Sequence, residues 1–144
     1  MKNKILISYS HLDYEIYVKP IEEAFKRAQI DFWIDKSDIE SGTDWDQRIN
    51  LGLNQCSAFL AIVTPNYRKS PYCFYEVKSA ATRYKDDPKN RTLLAVYTGP
   101  RLDSEIDDFF SSSQSHFFDI NKKNEEISKL LDVSAVKKCS LFIN

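Results

Sequence analysis

Glycine is scarce in this chain, with three in 144 residues. None builds the G-x-G-x-x-G turn that brings backbone against a pyrophosphate, so a recycled nicotinamide cofactor is not expected. Cysteine is equally rare. Cys56, Cys73 and Cys139 make an odd set without framework spacing, which fits a reducing cytoplasm. With no CxxC, and with His11 and His116 far apart, no metal site is expected. Neither sign of charge dominates: 20 Lys and Arg against 21 Asp and Glu leave a formal net charge of −1. That balance lacks the clustered basic excess of nucleic-acid binders. No apolar run nears the roughly 20 residues of a membrane-spanning helix. The apolar stretch behind the basic tip MKNK is too short for a signal peptide, and reads as a first strand.

What is present is apolar and periodic. A hydrophobic fraction of 42% over this length is enough to bury one domain's core. Strand-like segments fall at Lys4–Ser8, Asp31–Asp35, Ser57–Thr64, Thr92–Tyr97 and His116–Ile120. Between them run helical stripes. Tyr17, Ile21, Ala24, Phe25 and Ala28 mark the first, with Pro20 in its opening turn. Trp45, Ile49 and Leu53 mark a helix over about 43–54, and further helices are expected over 70–85, 106–110 and 124–131. No repeat or low-complexity block interrupts the series. Such alternation predicts a parallel sheet with helices on both faces. Ligands of such sheets bind outside the carboxyl ends of the strands, here Ser8–Ser10, Asp35–Gly42 and Pro65–Glu76.

The third of these stretches holds a conflict. SPYCFYEV, residues 70–77, has a cap, a proline, three aromatics, a cysteine and a valine, all suited to a packed helix start. Glu76 is the exception, a carboxylate that such neighbors partly strip of water. On a helix it shares a face with Tyr72 and Cys73. The plain alternative is a solvated charge, or one paired with Lys69, Lys78 or Arg83.

Three motifs in order resemble the TIR (Toll/interleukin-1 receptor) domain family, in its prokaryotic branch. The first is ILISYSHLD (5–13), followed by VKPI (18–21); the second is FWIDKSDIESGTDW (32–45); the third is TPNYRKSPYCFYE (64–76). Three positions depart from common members: Tyr72 replaces a tryptophan, and Ser10 and His11 stand where some NAD-cleaving relatives carry arginines. The similarity implies a flavodoxin-like three-layer sandwich with a central five-stranded parallel sheet of order 2-1-3-4-5. The domain is expected over 1–132, with 133–144 as an edge strand or the start of a linker to a further domain.

The resemblance also implies chemistry. In TIR domains that cleave NAD+, the glutamate at the position of Glu76 is the essential carboxylate. The expectation is therefore an NAD+ glycohydrolase or ADP-ribosyl cyclase, switched on by self-assembly in bacterial antiphage immunity. A non-catalytic adaptor working through TIR–TIR association is the alternative. NAD+ enters as substrate and no cofactor is expected. Tyr9, Ser10, His11, Lys36, Trp45, Tyr72 and Cys73 are the candidate substrate contacts. Ser37, Asp38, Ile39, Glu40, Ser41 and Gly42 correspond to the family's self-association loop. Phosphate charge could be met by Lys36, Arg68 or Lys69. Expected partners are other TIR protomers in a dimer or filament, and a regulatory sensor domain or separate effector, with neither nucleic acid nor membrane involved. A response-regulator or FMN reading of the same architecture would want an acidic pair after the first strand, which ILISYS does not offer.

Overall fold

Short apolar runs separated by amphipathic helices can hydrogen-bond their backbones only by lying side by side. In the computed structural model, which describes residues 3–35, 45–111, 114–117 and 119–142, they do so as one sheet. Its strands are β1 (Ile5–Ser8), β2 (Phe32–Ile34), β3 (Ala58–Val63), β4 (Thr92–Tyr97) and β5 (Gln114–Phe117), in the order β2-β1-β3-β4-β5. Every pairing is parallel. Successive side chains leave opposite faces, so each strand feeds two cores. Ile5, Ile7, Leu60 and Ile62 enter one, and Leu6, Phe59, Ala61 and Val63 the other.

The first core is covered by α1 (Lys19–Arg27), which buries Ile21, Ala24 and Phe25, and by α6 (Lys123–Leu131), which buries Ile127 and Leu130. Pro20 does stand in the first turn of α1. The second core is covered by α2 (Trp45–Gln55) and α4 (Pro71–Asp86), with the short α5 (Glu105–Asp108) beyond them. Gly52 lets α2 approach the sheet closely. A Cβ there would lie 2.8 Å from Leu6 Cδ1 and 3.0 Å from the Trp33 ring.

A helix not read from the sequence, α3 (Pro65–Lys69), turns the chain immediately after β3. Thr64 caps it by accepting the Tyr67 N–H at 3.0 Å, and Ser70 caps α4 by accepting the Cys73 N–H at 3.1 Å. Two caps six residues apart fold 64–76 tightly against the end of the sheet. At the far end of the chain, residues 134–137 form α7, with Val136 and Cys139 buried. Ser140 then makes a single antiparallel bridge to Ile30, so a helical turn precedes one bridge where an edge strand or linker is expected. All three cysteines are free and buried. No described helix is long and apolar enough to cross a membrane.

Candidate active site

The chain leaves β1 toward α1 on one side of the sheet and enters β3 beside it on the other. This reversal makes the carboxyl ends of β1 and β3 the switch point at which ligands of such sheets bind. Glu76 stands there. It lies in the second turn of α4 and is only 4% exposed. Ser8, the last residue of β1, donates to Oε1. Tyr72, one turn back on α4, has its hydroxyl 3.5 Å from Oε2. The Ser8 Oγ also lies 2.9 Å from the hydroxyl of Tyr67, which is fully buried on α3. The solvated or lysine-paired alternative is not what forms: no described cation makes an ion pair with Glu76, and Arg83 bonds Asn50 and Asn54 instead.

Burial pushes the Glu76 carboxyl up to about 7, with the charge of Asp35 adding to the rise. The bonds from Ser8 and Tyr72 oppose it without cancelling it. Burial likewise raises the Tyr67 and Tyr72 phenols, so both stay protonated donors. Burial lifts the Cys73 thiol to about 12, and the side chain is enclosed. Cys73 is therefore a neutral packing group beside the site rather than a nucleophile.

Other candidates gather around this center in different ways. Tyr9 is buried, donates to the Asp35 carbonyl at 2.9 Å, and stacks on the exposed ring of His11 at 5.3 Å between centroids. Trp45 opens α2 and meets Tyr72 edge-on at 5.4 Å. Its indole N–H is buried without a partner among the described residues. Lys36 and the loop Ser37, Asp38, Ile39, Glu40, Ser41 and Gly42 lie outside the described residues. Ser10 does not cap the following helical turn through its side chain, and neither does Asp13. Asp13 instead turns inward, accepting from the Thr64 hydroxyl and from Asn66 Nδ2 at 2.9 Å. That clamp ties the exit of β1 to the start of α3.

Two features escape a reading by motif. Ser8 and Tyr67 complete the surroundings of Glu76, yet their spacing of 59 residues gives no local signal. Arg68 is committed to Asp107, through Nε at 2.9 Å and a second nitrogen at 3.1 Å. This corrects its expected availability to a phosphate. Lys69 remains exposed.

The doubly wound sheet, with an acidic residue behind an aromatic pair at its switch point, defines the class. The chain belongs to the TIR domain family, whose profile matches residues 5–131. The NAD(+) hydrolase TcpC of Escherichia coli O6:H1 (strain CFT073) is 25% identical over 91 residues, which are 63% of this chain and 29% of that protein. The chain thus spans under a third of that relative. Solved structures share the fold at lower identity. The TIR domains of the activated Roq1 resistosome, which recognizes the effector XopQ, align at TM-score 0.68 and 12% identity, covering 90% of this chain and 98% of theirs. The TIR domain of the Toll-related receptor TRR-2 of Hydra magnipapillata aligns at 0.59 and 13%, covering 77% and 82%. The CMP N-glycosidase BcmB of Clostridium botulinum aligns at 0.55 and 16%, covering 89% and 98%.

Proposed function

We propose that this TIR domain cleaves the nicotinamide–ribose bond of NAD+, as a glycohydrolase or ADP-ribosyl cyclase, with Glu76 as the catalytic carboxylate. The observation that carries the reading is a buried carboxylate with no ion-paired cation among the described residues, raised to about 7. Burying a charge without a counter-ion is costly, and such sites cluster where chemistry uses them. The substrate brings the missing cation. Nicotinamide in NAD+ is a pyridinium, and a positive charge beside Glu76 favors its ionised form.

Departure of nicotinamide leaves positive charge on the ribose, and it leaves neutral. The general acid that an ordinary glycosidase needs for its leaving oxygen is therefore unnecessary. One carboxylate that holds the ribose hydroxyls and faces the developing cation suffices. Tyr72 and Trp45 wall the same side and would orient the rings. Attack by water yields ADP-ribose; attack by a nucleophile within the substrate yields a cyclic product. The relative TcpC, described as an NAD(+) hydrolase, supports this class of reaction. In this reading activity awaits association with further TIR protomers, triggered by a sensor domain or separate effector. The setting is cytoplasmic antiphage defense, and no cofactor is consumed besides the substrate.

The test is nicotinamide release from NAD+ by concentrated or crowded protein, with chromatographic separation of linear from cyclic ADP-ribose. Release by the wild type and not by Glu76→Ala is the expected result. Equal release by both overturns the role of Glu76, and no release from assembled wild-type protein leaves the TIR–TIR adaptor as the remaining reading.

A further inference from the structure

We infer that Ser8 and Tyr67 form a one-way hydrogen-bond chain that holds Glu76 by Oε1, leaving Oε2 as the oxygen that titrates and meets substrate. The inference rests on the proposed catalytic role of Glu76 and adds two positioning residues to it. A hydroxyl carries one proton. Ser8 gives its proton to Glu76 Oε1, so the 2.9 Å contact with Tyr67 must run from the phenol to Ser8 Oγ. Reversal would need the Tyr67 proton to find another acceptor. Its hydroxyl is enclosed, and Ser8 is its one acceptor among the described residues. A stranded buried donor costs about as much as a lost hydrogen bond, which keeps the relay directed toward the carboxylate.

Geometry separates the two carboxyl oxygens. Oε1 faces the end of β1 and α3, toward the core; Oε2 faces Tyr72, which is half-buried and packs on Trp45. With Oε1 already accepting a bond whose direction is fixed, a proton binds at Oε2, and ribose hydroxyls find Oε2 as well. The titratable groups around Glu76 are Tyr72 and Cys73 on its own helix, Tyr67 on α3, Tyr9 after β1 and Asp35 after β2. The phenols and the thiol remain protonated through neutrality, and the Asp35 carboxylate only adds negative charge. Arg48 on α2 pairs with Asp35 at 3.8 Å, and no described cation makes an ion pair with Glu76 itself.

The experiment follows the Glu76 side-chain carboxyl by 13C NMR across pH, in wild type and in variants, beside the pH profile of nicotinamide release. Ser8→Ala is expected to move the Glu76 midpoint upward by about one to two pH units, the scale of a hydrogen bond to a charged group. Ser8→Cys keeps the volume but donates weakly, and is expected to follow Ser8→Ala. Tyr67→Phe is expected to give a smaller upward shift, and the acid limb of kcat to move with each. Tyr72→Phe touches Oε2 and is expected to change KM more than that limb. An unmoved midpoint in both Ser8 variants, with cooperative melting intact, overturns the hydrogen-bond chain. If the midpoint moves and no NAD+ is cleaved, the hydrogen-bond chain stands and the proposed function falls. If NAD+ is cleaved and the midpoint does not move, the proposed function stands and the hydrogen-bond chain falls.

Discussion

Two carboxylates, Glu76 and Asp107, are both almost fully enclosed, at 4% and 2% exposure, yet their surroundings differ in kind. Asp107 is met by the fork of Arg68, by the Ser104 hydroxyl at 2.6 Å and by the Leu102 N–H at 2.6 Å. Burial pushes its carboxyl up, but these donors together outweigh burial and hold it below the usual value. Glu76 has one hydroxyl at bonding distance, a second at 3.5 Å, and a second carboxylate, Asp35, in its field. A fully satisfied buried ion belongs to the architecture. An undersupplied one keeps capacity in reserve for a ligand. In the proposed reading, the contrast separates a brace, Asp107, from a working group, Glu76.

The contrast breaks or sharpens by substitution. Glu76→Ala is expected to lower NAD+ turnover by about 10²- to 10³-fold, the scale of losing one electrostatic contributor, with the fold intact by circular dichroism. Asp107→Ala is expected to act on stability, since it strands the Arg68 guanidinium. A loss of about 3 kcal/mol in urea unfolding is expected, with no change in the Glu76 midpoint.

An effect of similar size has the opposite sign. Because the Glu76 carboxyl is raised in the folded state from 4.5 to about 7, folded protein binds this proton more tightly than unfolded protein. Its contribution to stability is thus intact below pH 4.5 and declines as pH rises to about 7. Glu76→Gln is expected to stabilise the domain by about 3 kcal/mol at about pH 8 and by little at about pH 4.5, measured by unfolding at both. The least change is expected from Thr64→Val, which removes a cap and the hydroxyl end of the Asp13 clamp. About 1 kcal/mol of stability should be lost. If Thr64→Val instead abolished turnover and left stability unchanged, the clamp would belong with the working group.

Much of this was legible in the sequence because it is local. The runs KILIS, SAFLAIVT and TLLAVY are apolar without alternation, and they became strands buried on both faces. Ser70 and Pro71 announced the start of α4, and the turn-by-turn spacing placed Tyr72 and Glu76 together. What stayed illegible depends on pairing between distant segments. Ser8 reaches Glu76 only because β1 lies beside β3 in a register that sets Ser8 opposite Ala61. Asp13 gives no local sign of its partners, Thr64 and Asn66, which lie 51 and 53 residues along the chain. Arg68 resembled a free phosphate ligand because its partner, Asp107, lies 39 residues away. Exposure of Glu76 follows the same pattern: its local sequence implies a partly dried charge, and the packing around it leaves 4% exposed.

The most direct measurement is the pH dependence of nicotinamide release from NAD+ at saturating substrate, for wild type and Glu76→Gln side by side. Release by the wild type that climbs with pH through a midpoint at or below about 7, the substrate's cation favoring the ionised form, is the expected result, with Glu76→Gln inert throughout. A Glu76→Gln protein that releases nicotinamide as the wild type does, over the same pH range, contradicts the account.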